Sequence, residues 1–372
     1  MPGIAGLIIF MVVFEVVLAA LHLFIYKSTV LLLHITSHPW LVILRIIMIL
    51  GAVSFPILSA VAFKSFNKLA RFAYYISAAW LDLFYFTLIS TVVSVLACGL
   101  LKINFQGAHV LAIVLDSAAI IIGIYSLINT KIIRTTKLTI SLSSLPEFWK
   151  SKNLVFLADM HLGPVNSANF TKRLAAKVVT LNPQTVIIGG DIFDGPPINA
   201  YAALEPFKKV QPPLGKYFVT GNHEEYGNTQ GFLKAINDCG ITVLENQSVD
   251  LAGINFVGVD CKATGNADKF KNVLNDIILP RDKPNILIKH VPDNLKLAEA
   301  HGFDAGLSGH THNGQLYPLG YLARWIYGYN YGLKILNKMQ IYVSSGVGTW
   351  GPPGRFGTRA EIVLINFKEA NK

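Results

Sequence analysis

Four long apolar runs fill the first third of the chain. They cover approximately Ile4–Tyr26, Trp40–Phe63, Phe72–Leu101 and Ala108–Ile128. Each run is long enough for a helix that crosses the hydrocarbon core of a bilayer, which takes about 20 residues. The pattern therefore predicts a transmembrane region over residues 1–130, with about four spans.

After residue 130 the hydrophobic pattern changes its period. Residues 131–152 alternate apolar and polar side chains around Leu138 to Leu142, which predicts a linker with a half-buried edge strand. From residue 153 onward, short apolar runs alternate with amphipathic stretches such as Asn169–Leu181. This strand–helix alternation predicts an α/β domain over residues 153–372.

Composition supports a chain with two different halves. The chain has 372 residues, of which 52% are hydrophobic, and a formal net charge of +10. That charge is spread along both halves, so the clustered basic face that is typical of nucleic-acid binding is missing. Three cysteines, Cys98, Cys239 and Cys261, are an odd number without metal-ligand spacing, which favours a reducing compartment over a disulfide framework.

Basic residues near the span ends predict the orientation in the membrane. Six of them lie between spans two and three or just after span four, and two lie in the other loops: Lys64, Lys68, Arg71, Lys131, Arg134 and Lys137 against Lys27 and Lys102. Because Lys and Arg concentrate on the cytoplasmic side, we expect everything after residue 130 to be cytoplasmic, in a bacterial inner membrane protein.

Ionisable residues inside the spans leave two interpretations open. These residues are Glu15, His22, Arg45, Asp82 and Asp116. Charged groups are costly in lipid, so they can mark an ion or proton path or a site for a lipid headgroup. The alternative is interhelical pairing, for example of Arg45 with Glu15 or Asp82.

Candidate chemistry lies at the ends of the short apolar runs after residue 153. Five predicted strands each end in Asp, Asn or His. The ends are Asp159-Met160-His161, Asp191 with Asp194, Asn222-His223, His290, and His310-Thr311-His312. Chemistry in α/β folds concentrates at such strand ends, and each of these residue types can ligate a divalent metal.

The residue types indicate the kind of metal site. Oxygen and imidazole ligands without thiolate suit Mn, Fe, Zn, Ni or Co. About seven ligands are too many for one ion, and two ions 3.5–4 Å apart need a carboxylate between them. Asp191 follows the middle strand of the series, which makes it the natural bridge.

The same blocks carry a resemblance to a known family. In order, they read Asp159-x-His161, Gly190-Asp191-x-x-Asp194-Gly195, Gly221-Asn222-His223-Glu224, His290 and Gly309-His310-Thr311-His312. This series resembles the calcineurin-like metallophosphoesterase superfamily. The later segments Trp325–Tyr331 and Tyr342–Phe356 resemble its YkuE/YaeI-like membrane-associated branch. The resemblance implies a four-layer αββα sandwich, here preceded by a four-helix transmembrane region.

The resemblance also implies residue roles and two divalent metal ions. Asp159, His161, Asp191 and His312 would hold one ion; Asp191, Asn222, His290 and His310 would hold the other. His223 would be the catalytic histidine that faces the substrate, and Asp194 would orient it through a hydrogen bond. Two cations would supply a low-pKa water and take up charge on the phosphoryl group.

Two further features are weighed beside the metal blocks. Arg355, in a Gly/Pro-rich loop, is either a substrate-binding phosphate clamp or a solvated arginine. The aromatic segment Tyr317–Leu336 either contacts a lipid-like substrate or the membrane, or packs as a structural insertion. Lys289, next to His290, is expected at the surface.

The sequence thus predicts a membrane-anchored, metal-dependent phosphoric ester hydrolase with a phosphorylated substrate. The first hypothesis is a lipid-linked substrate, such as a phospholipid or a UDP-linked lipid A precursor. The second is a soluble phosphoester, with the spans only as an anchor. The third is a membrane sensor whose phosphoesterase domain binds ligand without turnover.

Overall fold

A computed structural model describes residues 4–64, 67–195, 198–225 and 229–370. The chain divides into two compact units. The helical unit contains the described residues up to Ile128 together with Gly351–Gly354. The α/β unit contains Asn129–Trp350 and the residues from Arg355 onward.

The helical unit consists of four long helices: α1 (Ile4–Leu32), α2 (His38–Lys64), α3 (Lys68–Leu100) and α4 (Phe105–Asn129). Each is long and apolar enough to cross a membrane. Most of their large apolar side chains are exposed, which suits lipid contact. The four predicted spans are confirmed, and the helices begin or end a few residues beyond the predicted limits.

Polar groups inside the helical unit pair between helices, but not as the sequence suggests. The Ser126 hydroxyl donates to Asp82 at 3.0 Å, and Ser90 hydrogen-bonds Asp116. Within the described residues, Arg45 forms no ion pair with Glu15 or Asp82 and instead lies near the Tyr26 ring and hydroxyl. Short hydroxyl side chains reach these carboxylates from a neighbouring helix, so the arginine is not needed there.

The α/β unit contains twelve strands among its described residues. They are β1 (Ile133–Leu142), β2 (Asn153–Leu157), β3 (Thr185–Ile188), β4 (Lys216–Phe218), β5 (Thr242–Val243), β6 (Gln247–Leu251), β7 (Ile254–Gly258), β8 (Asn285–Ile288), β9 (Ala305–Ser308), β10 (Gly332–Leu336), β11 (Met339–Val343) and β12 (Ala360–Glu369). Its helices are α5 (Ala168–Thr180), α6 (Ala200–Leu204), α7 (Thr229–Asp238), α8 (Cys261–Thr264), α9 (Ala267–Asp276), α10 (Leu295–His301) and α11 (Leu319–Tyr327).

The strands form two six-stranded mixed sheets. The first has the order β1-β12-β2-β3-β4-β5, and the second has the order β10-β11-β9-β8-β7-β6. Strands β2, β3 and β4 are parallel neighbours, as are β7, β8 and β9. Because parallel strands end at the same edge of a sheet, each sheet presents a row of carboxyl-terminal loops.

Alternating side chains divide the core into three layers. Phe156 of β2 and Ile286 of β8 belong to a buried cluster between the two sheets. On the outer face of the first sheet, residues such as Leu174 of α5 pack against the opposite side chains of β2 and β3. Phe270 of α9 does the same on the second sheet. The arrangement is a four-layer αββα sandwich, as the family resemblance implies.

Candidate metal centre

The strand-end loops of both sheets bring the predicted ligand residues together. Three groups form, and within each group the candidate ligand atoms lie within 4.8 Å of one another. The first is Asp159, His161 and His312; the second is Asp191, His290 and His310; the third is His161, Asp194 and His223. The first two fall within the two ligand sets that the family resemblance implies, without Asp191 in the first and without Asn222 in the second. Ligation itself remains a prediction.

The backbone at these strand ends is unusual. Among the described residues, fourteen non-glycine residues have a positive φ, and five of them are predicted ligands: Asp159, His161, Asp191, His310 and His312, at 45° to 72°. This left-handed region costs a non-glycine residue of the order of 1 kcal/mol or more. Such strain concentrates at functional sites, where the surrounding fold holds a side chain in one direction.

Two glycines allow the backbone to approach the candidate ligands. A Cβ at Gly190 would lie 2.3 Å from His290 Nδ1, and Gly190 itself has a φ of +100°. A Cβ at Gly221 would lie 2.1 Å from Asp191 Oδ1. Any larger residue at either position would displace a predicted ligand, which explains why the motif needs glycine there.

The first group is fixed by hydrogen bonds behind its imidazoles. His161 Nε2 and His312 Nε2 lie 3.0 Å apart, and His161 Nδ1 lies 3.1 Å from Asp194 Oδ1. His312 Nε2 lies 3.9 Å from Asp159 Oδ1. The outward nitrogen of His161 thus has a carboxylate partner, an arrangement that commonly orients metal-ligating histidines.

The second group contains the geometry expected of a bridging carboxylate. Asp191 Oδ2 lies 3.0 Å from His290 Nε2 and 3.7 Å from His161 Nε2, so it faces nitrogens of both groups. Asp191 Oδ1 accepts a hydrogen bond from the His223 backbone N–H at 2.9 Å. His290 Nδ1 donates to the Gly189 carbonyl at 2.7 Å, which leaves its Nε2 directed at the site.

The donor set fits divalent cations. Two ligands that are each about 2.1 Å from an ion, at a right angle, lie about 3.0 Å apart. The pairs His161–His312 and Asp191–His290 have this spacing. Asp159 Oδ2 and Asn222 Oδ1 are buried and have no hydrogen-bond partner within the described residues. Buried oxygens without a partner are costly, and a bound cation would satisfy them.

Burial and opposite charge shift the pKa values of His290 and Asp191 in the second group. Burial opposes the charged form of His290, but the Asp191 carboxylate outweighs it and raises the pKa of His290 to about 10. Burial alone would raise the pKa of Asp191, yet His290 and its hydrogen bond hold that pKa well below its usual range. Asp191 is therefore an anion at the centre of the site.

Two of the remaining imidazoles, His310 and His312, are held neutral, whereas for His161 burial is outweighed by the Asp194 hydrogen bond and the Asp191 charge, which raise its pKa. Burial, with the added repulsion of His290, lowers the pKa of His310 to about 3. Burial also lowers the pKa of His312 well below its usual range, with the charge of His161 acting in the same direction. For Asp159, burial raises the pKa to about 6 against the attraction of His290. Neutral imidazoles offer the lone pairs that a metal ion needs.

His223 and Asp194 are close, but their contact differs from the implied one. His223 Nδ1 lies 3.1 Å from the backbone carbonyl of Asp194 and 3.6 Å from its Oδ1. The nearer contact of the Asp194 carboxylate is His161, at 3.1 Å. Burial lowers the pKa of His223. Asp194 thus holds His223 through its main chain, and its side chain is positioned to orient His161 as well.

Arg355 is neither solvated nor directed at a substrate, the two alternatives that the sequence left open. Its side chain is completely buried. The guanidinium donates to the carbonyls of Ser345, Gly348 and Arg359, and one nitrogen lies 3.3 Å from His312 Nδ1. With these donors occupied by main-chain carbonyls, the contacts favour a role in fixing the loop beside His312 over a phosphate clamp.

Glu224 and Lys289 are buried near the site, which the sequence did not predict. The Glu224 carboxylate accepts backbone N–H bonds from Asp191, Phe193 and Gly221 at 2.8 to 3.0 Å, and so ties together the loops after β3 and β4. Its pKa is raised to about 7, first by burial and then by Asp191. Lys289 was expected at the surface and is instead buried, with Nζ 2.5 Å from Asp293 Oδ1.

Tyr327 is a further neighbour of the site that the strand-end pattern does not indicate. Its hydroxyl lies 2.8 Å from His310 Nε2, while His310 Nδ1 faces His290 Nε2 at 3.3 Å. Tyr327 is the last residue of α11, within the aromatic segment after the final ligand block. That unusual composition was the only signal for it in the sequence.

Removing the Tyr327 hydroxyl tests whether this contact supports the site. Tyr327→Phe is expected to weaken metal binding by about 10- to 100-fold, because a group that orients a predicted metal-ligating histidine is lost. Competition titration of Mn²⁺ against a chelator measures the affinity. The matched control is Tyr201→Phe, which removes a hydroxyl that bonds Asp238 on the surface. Equal affinities in both variants would contradict the role of Tyr327.

The geometry agrees with comparison to known proteins. The profile of the calcineurin-like phosphoesterase family matches residues 152–314, which include all the candidate ligands. A metallophosphoesterase of Aquifex aeolicus, uncharacterized in its activity, is 32% identical over 257 residues, which are 67% of this chain and 97% of that protein. The chain belongs to the calcineurin-like metallophosphoesterase family.

Relatives of this metallophosphoesterase include membrane proteins and the predicted branch. A Danio rerio protein named as a transmembrane protein with a metallophosphoesterase domain is 32% identical over 279 residues, 70% of this chain and 63% of its own length. YkuE of Bacillus subtilis is 29% identical over 253 residues, 64% of this chain and 87% of its own. The chain spans about three fifths of the length of the curated relatives that match it at 33 to 34% identity.

Proposed function

We propose that this chain is a membrane-anchored hydrolase of phosphate esters or anhydrides that works with two divalent metal ions. The observation that carries the proposal is the position of Asp191, whose Oδ2 faces His161 of one ligand group and His290 of the other. When bound, two ions would supply charge stabilisation at the phosphoryl oxygens and a water of lowered pKa. Their identity among Mn, Fe, Zn, Ni and Co is open.

The protein residues would position the ligands and move a proton. Asp159, His161 and His312 would hold one ion, and Asn222, His290 and His310 the other, with Asp191 shared. His223 lies beside both groups, and its Nδ1 donates to the Asp194 carbonyl, so Nε2 is the atom that can give a proton to a leaving oxygen. Trp350, an exposed residue with its ring centroid 6.1 Å from that of His223, borders the approach to it.

For the substrate we propose a phosphate carried on a lipid, such as a phospholipid or a UDP-linked lipid A precursor. Two features support a lipid over a soluble ester. The chain carries four helices that can cross a membrane, and the exposed apolar helix α11 ends in Tyr327, which contacts His310. A soluble substrate would require neither feature.

The test compares substrate classes on the full chain in mixed micelles. A lipid-linked phosphate and bis-p-nitrophenyl phosphate are assayed with wild type and Asp191→Asn at rising detergent-to-lipid ratios. A kcat/KM for the lipid that falls on surface dilution, and exceeds that for the soluble diester, supports the proposal. Turnover of the soluble diester alone would support the anchored soluble-substrate enzyme. No difference between wild type and Asp191→Asn on either substrate would support the sensor.

We further propose that the α/β unit faces the cytoplasm of a bacterial inner membrane. The support is the excess of Lys and Arg in the loop between spans two and three and after span four. An impermeant maleimide would then label an Ile278→Cys variant, at a highly exposed position, only after cell lysis. Labelling in intact cells would show that the α/β unit faces the outside of the cell and would contradict the proposed orientation.

A further inference from the structure

The surface of helix α11 carries an exposed apolar stripe. Four large apolar or aromatic residues lie on one side of the helix, because they follow the first of them by one, four and five positions: Tyr321, Leu322, Trp325 and Ile326. Trp325 is 82% exposed and Tyr321 is 65% exposed. We call these four residues the α11 stripe.

Packing within the α/β unit does not explain the α11 stripe. None of the described residues of α11 is buried. The neighbouring strand β10 adds Leu333 and Ile335, which are also exposed. Contiguous apolar surface of this kind marks an interaction site, because a monomer gains nothing from exposing it to water.

The charges in this part of the sequence have one sign. Between Asp304 and Glu361 the sequence contains no acidic residue. The exposed basic residues of this segment are Arg324, Lys334, Lys338 and Arg359. An apolar helix face with Trp and Tyr, in a segment whose charged side chains are all Lys or Arg, is the composition of helices that lie in the headgroup region of anionic membranes.

The covalent chain holds the α/β unit close to any bilayer that α4 crosses. Helix α4, a candidate span, ends at Asn129, and β1 begins at Ile133. Three connecting residues extend about 10 Å at most. A membrane is therefore present at high effective concentration for any lipid-binding surface of the α/β unit.

A second copy of the chain fits the α11 stripe less well than an anionic membrane does. In a two-fold symmetric contact the patch meets the same patch of the other copy, so Arg324 and Lys334 would approach a segment that itself carries only basic charges. Like charges that face each other across an interface cost affinity. We propose that the α11 stripe inserts into the headgroup region of an anionic membrane.

Insertion has a consequence for the metal centre. Tyr327 ends the same helix, and its hydroxyl lies 2.8 Å from His310 Nε2. A docked α11 therefore places the candidate site at the lipid–water boundary and couples the helix to a predicted ligand. This inference concerns membrane contact and stands whether or not a lipid is the substrate.

The experiment measures the depth of a nitroxide on the full chain in nanodiscs. The native Cys98, Cys239 and Cys261 are replaced, and a label is placed at Trp325→Cys or, as a second position on the stripe, Tyr321→Cys. Ile278→Cys, 89% exposed, is the control. Collision rates with oxygen, which enters lipid, and with a nickel chelate, which stays in water, report the surroundings of each label.

We expect the oxygen-to-nickel ratio at 325 and 321 to exceed that at 278 by about fivefold in discs with anionic lipid, and less in neutral discs. The double variant Arg324→Glu/Lys334→Glu should lower the ratio at 325. Equal ratios at 325 and 278 in all discs would overturn the proposal. A short dipolar distance between two 325 labels would also overturn it, because a second copy would then cover the stripe. A protein that shows the expected oxygen-to-nickel ratio but does not hydrolyse phosphate esters would contradict the proposed function and leave the membrane contact of α11 standing.

Discussion

Asp191→Asn is expected to lower kcat/KM by at least about a thousandfold, a loss of ~4 kcal/mol in transition-state stabilisation. The asparagine keeps the size of the side chain but removes the negative charge that faces both His161 and His290. Because both ligand groups share this carboxylate, the affinities for both ions should fall together. Initial rates on a phosphodiester and parallel metal titrations measure the two effects.

The control for this change is Asp276→Asn, an exposed carboxylate on α9 far in sequence from any ligand block. It should keep wild-type rates and metal affinities. Loss of one ion with the other bound at wild-type affinity would show that Asp191 does not bridge, even if the rate falls.

His223→Asn is expected to slow kcat by about 10²- to 10⁴-fold while both ions remain bound. The ring lies at a centroid distance of 4.7 Å from His161, and the His223 backbone N–H donates to Asp191. His223 groups with His161 and Asp194 and belongs to neither of the two ligand sets that the resemblance implies. Loss of the proton donor should be smallest for substrates with a good leaving group. Rates on esters with leaving groups of increasing pKa, together with ions counted per chain, measure this.

His301→Asn is the matched control, because His301 lies at the end of α10 near the Ile277 carbonyl and away from the strand-end loops. It should retain wild-type turnover. A His223→Asn variant that loses an ion would move His223 from proton transfer to metal binding. Equal slowing for all leaving groups would contradict its role as a proton donor.

The positions of the ligand blocks could be predicted because they depend on local pattern. Each block follows a short apolar run, and parallel strands necessarily bring their ends to one edge. Asp159 and Asp191 could therefore be placed together before any coordinates. His290 follows a strand of the second sheet, and its place beside Asp191 was implied by the family resemblance. The helical period of apolar side chains likewise predicted helix α5 within one residue at each end.

Contacts that depend on packing could not be predicted. The burial of Arg355 and Lys289 depends on carbonyls and a carboxylate that the folded loops bring near, and charged residues alone suggest a surface. The contact of the Asp194 carboxylate with His161 depends on the left-handed turn at His161, which sequence does not indicate for a non-glycine residue. Strand β12 pairs with β1 and β2, which lie about 200 residues earlier in the chain, so its place in the sheet could not be read from a local pattern.

The central claim is a dinuclear metal centre built on Asp191. Its most direct test is to load the full-length chain in detergent with Mn²⁺, count the ions by mass spectrometry, and record the electron paramagnetic resonance spectrum at low temperature. We expect two ions per chain and a spectrum of two exchange-coupled Mn²⁺ ions, since a shared carboxylate would hold them about 3.5–4 Å apart. One ion per chain, or two that give an uncoupled spectrum, would contradict it.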